Sequence, residues 1–238
     1  MGLDIYVGPL SRYYSGQWQN IIQQFGQANG LPVTVIRPRP PLLTRLRDLF
    51  IRRVNPKSVN LAEAVHIWRT QLAAASGPFP PDADWNWPES PDLDYDTDKP
   101  SFFGYGAVRT WAAYSAAAPP ELLRDDWEQD PLVQQSENAA FPHLHQPELW
   151  LPVRFPQVIE APELSGNPIK IGSVFSLWDE FQALNAATWN ADHATIRQWK
   201  NEDFDDEKLE PTARWAFSIW FCLTERAVKH LQPMRLDY

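Results

Sequence analysis

Twenty-three prolines punctuate this chain of 238 residues and decide where regular structure can run. A proline lacks the backbone N–H and fixes φ, so it stops or bends a helix and suits a sheet only at an edge or a strand's first residue. The prolines are unevenly placed: Pro78, Pro80, Pro81, Pro88, Pro91 and Pro100 crowd one stretch, which also carries seven acidic side chains between Asp82 and Asp98. A long exposed acidic loop is expected there, at about 77–100, and ordered loops of that length are commonly functional. Trp85, Trp87 and Tyr95 lie among the acids, which argues for a loop that packs down in part, because chains that cannot collapse are poor in aromatic residues.

Between the proline breaks, periodicity assigns the elements. Leu3 to Val7 reads as a short strand ended by Gly8-Pro9. From Ser15, the spacing of Trp18, Ile21, Ile22 and Phe25 predicts a helix with a core-facing stripe, terminated at Gly30. Leu31 to Ile36 reads as a second strand, giving a β-α-β opening. Residues 37–57 hold seven of the 21 basic residues against the single acid Asp48, with Leu42, Leu46, Leu49 and Phe50 on one face, as in a basic amphipathic helix. Asn60 and Glu63 mark the start of a helix to about Ala75, striped by Leu61, Val65, Trp68 and Leu72. A small-residue helix over Ala107–Ala118 follows, with Gly104 and Gly106 in the turn before it. Phe141 to Pro156 reads as an extended segment that Pro152 interrupts, implying an edge strand. Ile169–Ile171 is a short strand, and Ser173 caps a helix striped by Leu177, Phe181, Leu184 and Thr188. A shorter helix spans about Ala194–Lys200. The last helix, Thr212–Leu231, is apolar around most of its circumference and is expected to be central. These elements predict a single α+β domain over 1–238, with several packed helices and a small mixed or antiparallel sheet.

Thirty acidic residues against 21 basic ones give a net charge of −9, which argues against general binding to nucleic acid or anionic membranes and favours a basic partner. Cys222 is the only cysteine, so no intramolecular disulfide forms, and its apolar surroundings suggest a small core residue. With no leader-like start and no apolar stretch approaching the roughly 20 residues of a membrane span, a soluble, cytoplasmic protein is expected.

Asp92, Asp94, Asp96 and Asp98 alternate with Leu93, Tyr95 and Thr97, so an extended backbone would place all four carboxylates on one side at a repeat of about 7 Å. A calcium loop is excluded because Thr97 replaces the turn glycine and Phe103 the bidentate glutamate. His143 and His145 supply two imidazoles but no third ligand, so no metal is assigned, and no cofactor motif is present. Nucleophilic catalysis lacks a Gly-x-Ser-x-Gly elbow. Asp4, Tyr6, Arg12, Tyr13 and Tyr14 form the best enzyme-like group, an arginine among phenols that suits an anionic or sugar substrate. Trp85 and Trp87, on a polar segment, are the tryptophans placed to stack on a sugar.

The phrases Met1-Gly-Leu-Asp-Ile-Tyr-Val-Gly8, Ser11-Arg-Tyr-Tyr14, Gly104-Tyr-Gly-Ala107, Pro147-Glu-Leu-Trp-Leu-Pro152 and Leu236-Asp-Tyr238 resemble a widespread bacterial family to which no activity is attached. In character the chain is similar to immunity proteins that neutralise toxins. The expected function is therefore recognition of a basic protein partner, possessing no catalytic step, with Asp92, Asp94, Asp96 and Asp98 steering and Trp85, Trp87 and Tyr95 anchoring. The alternative is a hydrolase or carbohydrate-binding protein with a pocket near Arg12, Tyr13 and Tyr14.

Overall fold

The computed structural model describes residues 3–30, 60–75, 79–80 and 83–238, the side chains of 137–139 excepted. The strand expected at Leu31–Ile36 and the basic helix expected within 37–57 lie outside the described residues. The architecture is α+β, as the alternation of strand and helix signals implied.

Among the described residues, six strands form one mixed sheet: β1 (Asp4–Val7), β2 (Asp96–Asp98), β3 (Leu149–Leu151), β4 (Ile159–Pro162), β5 (Pro168–Ser173) and β6 (Met234–Asp237). Their spatial order is β2-β1-β6-β3-β5-β4, and every neighbouring pair is antiparallel except β3 with β5. The chain's two ends therefore meet in the sheet, with Tyr6 opposite Arg235 and Asp4 opposite Asp237.

Alternation divides the sheet into two buried faces. Ile5, Val7, Trp150, Met234 and Leu236 join one apolar cluster, with the helices α4 (Ser101–Ala113), α7 (Val174–Ala187), α8 (His193–Trp199) and α9 (Leu209–His230). Leu149, Leu151, Ile169 and Ile171 join a second cluster, which includes Leu10 of α1 (Leu10–Ser15) and Val65, Trp68 and Leu72 of α3 (Leu61–Ala74). The central helix α9 buries Phe217, Trp220 and Phe221 completely, as its circumferential apolarity requires.

Several expectations are corrected. The helix foreseen from Ser15 starts later: α1 ends at Ser15, with Gly16 at φ 71° as its cap, and a capping box on Asn20 and Gln23 starts α2 (Ile21–Ala28). The stripe of α2 is not core, since Ile21, Ile22 and Phe25 are 38%, 49% and 63% exposed. Trp18, left between the helices, packs on Tyr6 and Tyr13 instead. Gly104 and Gly106 lie inside α4 rather than before it, because a Cβ at Gly104 would sit 2.9 Å from Ala216 and one at Gly106 2.5 Å from Trp127. The 141–156 segment is a short helix, α6 (Pro142–His145), followed by β3, and β3 is interior to the sheet. Pro152 falls just past its last residue, where no ladder hydrogen bond is lost. A 3-10 turn (Trp127–Gln129) and α5 (Pro131–Ala139) fill the polar connection after α4.

Candidate functional site

Residues 83–98 lie against the body of the protein, held by a series of specific contacts. Glu89 accepts hydrogen bonds from the Leu10 and Ser11 amides at 3.2 and 2.8 Å and from the Ser11 hydroxyl at 2.6 Å. Trp87 is buried at 3% exposure, its indole N–H donating to Glu89 and its carbonyl accepting from Arg69. Trp85 packs edge-on against Phe79, which in turn meets Phe155. Arg12 donates to the Leu93 carbonyl and lies 4.3 Å over the Tyr95 ring, while the Tyr95 hydroxyl accepts from the Gln19 amide. Gln232 donates to the Asp94 carbonyl at 2.8 Å. The aromatic residues expected to anchor a partner thus anchor the segment itself, and Trp87 is withdrawn from any protein interface by its burial.

The carboxylates divide into two sets. Only Asp96 and Asp98 occupy a strand, with Thr97 between them on the opposite, buried side, so the foreseen alternation covers half of its proposed length. Asp96 pairs with Arg226 and Asp98 with Lys200 at 3.5 Å, which means that the protein's own cations meet them. Burial holds the Asp96 carboxyl above its ordinary range, against the pull of Arg226. Asp84, Asp92 and Asp94 remain exposed.

Between β2 and the outer faces of α8 and α9 lies a cleft of about 540 Å³ that Tyr95, Asp96, Thr97 and Asp98 line on one side. Opposite stand Arg197, Lys200, Arg226 and Lys229, with Glu225 and Cys222 between them. Arg197 grips both oxygens of Glu225 at 2.7 Å. Burial raises the Cys222 thiol, so it does not behave as a ready thiolate. Ile21 and Gln24 of α2 close the rim, bringing the exposed apolar stripe of that helix beside the charges. Arg226 and Lys229 were legible only as cations suited to a helix C-terminus; their i, i+3 spacing, with Cys222 one turn earlier, was the signal of a shared face.

Of the enzyme-like group, Asp4, Tyr6, Tyr13 and Tyr14 come together without Arg12, and their chemistry is spent internally. Asp4 and Tyr6 share a sheet face with Arg235 and Asp237. Tyr13 donates to Asp237 at 2.6 Å and Tyr14 to Glu163 at 2.9 Å, and Arg235 pairs with Glu163 at 2.9 Å while facing both tyrosine rings. Burial pushes the Tyr6, Tyr13 and Tyr14 phenols well above their ordinary values, so they stay protonated. Asp4 is raised by burial too, with Lys99 at 3.8 Å and Asn20 opposing. Arg12 points away from this group, to the Gln17 and Leu93 carbonyls. Tyr13 and Tyr14 line neither the cleft above nor the second one described below.

The two histidines are buried on α6, contrary to the extended surface segment expected. His143 Nδ1 accepts from the Ser173 amide, so its Nε2 carries the proton toward the Pro156 carbonyl. His145 Nδ1 accepts from Arg109 Nε at 3.0 Å, so its Nε2–H faces the Ser136 hydroxyl at 3.2 Å. That tautomer cannot take the serine proton, and neither ring keeps a lone pair for a metal. Burial lowers both, His145 the more strongly because Arg109 adds repulsion. Among the described residues, no three His, Cys, Asp or Glu side chains are grouped to hold a metal ion, and no helix is long and apolar enough to cross a membrane.

Compared with protein-family models, curated proteins and solved structures, the chain matches none.

Proposed function

We infer that this chain is a protein-binding protein of the immunity type, which occupies and blocks a cationic partner. The observation that carries the reading is the exposed apolar stripe Ile21, Ile22 and Phe25 standing beside a charged cleft. An apolar centre with a polar rim is the anatomy of a protein interface. The adjoining acidic segment is already fixed by Glu89, Arg12 and Gln232, so association spends little on ordering it.

The partner's charge follows from the chain's own distribution. Residues 37–57 take seven basic residues and one acid, leaving 14 basic against 29 acidic residues elsewhere. Among the described residues of the segment, the exposed carboxylates Asp92 and Asp94 meet incoming lysines or arginines, while Asp96 and Asp98 exchange existing ion pairs and contribute register more than affinity.

The test is capture of a partner on immobilised protein, with wild type compared against Phe25→Asp and the double substitution Asp92→Lys, Asp94→Lys. A partner retained by wild type should be lost by both variants, and its association rate should fall steeply as salt rises. Equal retention by the variants, or association indifferent to salt, contradicts the reading.

A further inference from the structure

A second cleft, of about 340 Å³, lies at the carboxyl ends of the parallel strands β3 and β5. Parallel strands leave a crevice at that end, because the chain departs from adjacent strands along different paths. Here Pro152 and Arg154 follow β3, Phe175 opens the helix after β5, and the beginning of the acidic segment, Asp84 to Trp87, closes the side. Leu231 completes the rim. It terminates α9 at φ 51°, ψ 49°, the left-handed position that glycine usually takes, and leaves its side chain 41% exposed. That turn belongs to the helix end, where the Leu231 and Gln232 amides bond the Val228 and Ala227 carbonyls, and the exposed leucine stands at the rim of the cleft.

We propose that this cleft binds a neutral carbohydrate, one or two sugar rings in size, between Phe175, Leu231 and the polar side chains Asp84, Asn86 and Arg154. Its volume stands near the lower end of the roughly 300 to 1,000 Å³ of small-molecule sites, which favours a ligand of that size. The walls join apolar surface from Pro152, Phe175 and Leu231 to three planar polar groups, the combination that receives the C–H face and the hydroxyl edge of a sugar. Asp84 spends one oxygen on the Asn86 amide at 2.8 Å, which sets both side chains in a turn at the rim. Arg154 lies 4.9 Å over the Phe175 ring and bonds Asp179 through Nη1 only. The one guanidinium of the lining is already paired with Asp179, so the cleft offers hydrogen bonds and no unpaired cation to draw an anionic ligand. The carbohydrate reading of the sequence placed such a pocket near Arg12, Tyr13 and Tyr14; the geometry moves it to the opposite end of the segment that holds Trp87.

The experiment is calorimetric titration of the full chain with glucose, galactose, mannose and N-acetylglucosamine, alongside glucuronate and glucosamine as charged probes. At least one neutral sugar should bind with a millimolar Kd, and the charged probes more weakly. Asp84→Ala and Arg154→Ala, both exposed positions, should each weaken binding about tenfold with unchanged melting temperature. Asn86→Ala provides a further variant should either of these fail to fold. No binding of a neutral sugar at about 50 mM, far above a millimolar Kd, overturns the proposal. So does tighter binding of a charged probe, or binding that ignores all three substitutions. None of these residues belongs to the α2 face, so the outcome is independent of the protein-binding reading.

Discussion

Substituting Glu180 by glutamine should remove a pH dependence of stability that one buried carboxyl imposes. Glu180 reaches from α7 to the start of α6, accepting the His143 and Leu144 amides at 2.9 and 2.7 Å. Those two donors favour the charged form, but burial outweighs them and pushes the carboxyl from its ordinary 4.5 up to about 8. Between these values the folded protein holds a proton that the unfolded chain has released. Stability is therefore fully present below about 4.5 and is lost as pH rises through about 8. At ~1.4 kcal/mol per pH unit the interval sets a ceiling of about 5 kcal/mol. Glutamine has no charge to bury, but it offers one acceptor oxygen to the two amide donors, so one of them loses its partner. In urea unfolding at pH 5, Glu180→Gln should be less stable than wild type by about 1 to 3 kcal/mol, the penalty of one buried amide left without an acceptor. Between pH 5 and pH 9 the difference should move in the variant's favour by a few kcal/mol. His143 and His145 act in the opposite sense, destabilising the fold as pH falls through 6.5, and they cancel in the comparison because both proteins carry them. A difference between the two proteins that stays constant from pH 5 to 9, or moves further in favour of wild type by pH 9, would refute the argument and show that the two amide donors dominate.

Further outcomes follow from the packing. Gly106→Ala should cost on the order of 2 kcal/mol in thermal unfolding, despite alanine's better helix propensity, because the new methyl would lie 2.5 Å from Trp127. Phe25→Asp should change stability by no more than about 0.5 kcal/mol, given 63% exposure, while abolishing partner retention. Leu231→Gly should raise the unfolding midpoint, relieving a left-handed leucine worth about 1 kcal/mol, and at the same time weaken sugar binding in calorimetry.

Long amphipathic elements were legible because tertiary contact only confirms what their stripes state. Leu177, Phe181 and Leu184 are fully buried on α7, as are Phe217, Trp220 and Phe221 on α9. The strands β4 and β6 went unread: each is four residues, too short for a period, and each exists because a partner strand pairs with it. Gly104 and Gly106 looked like turn residues because sequence cannot separate a glycine that turns the chain from one that admits a neighbouring helix. The stripe of α2 shows a different limit. Periodicity reports that a helix has an apolar face, and whether the rest of the chain covers that face is a property of the whole fold.

The acidic segment shows the same limit in electrostatic form. Its local spacing placed Asp96 and Asp98 correctly on one side of a strand, yet the charges that answer them, Arg226 and Lys200, come from helices more than a hundred residues later. A carboxylate's freedom to meet a partner is set by its distance from every cation in the fold, so among the described residues the exposed set shrinks to Asp84, Asp92 and Asp94, and Asp84 belongs to the second cleft. That redistribution changes what recognition must use. Four aligned carboxylates would attract any cation, whereas exposed carboxylates combined with a mixed-charge cleft and an apolar helix face demand a partner matching all three features. Selectivity in the proposed binding therefore rests on the arrangement of Phe25, Asp92 and the cleft together, and removing any one of them should lower affinity more than its own contact is worth.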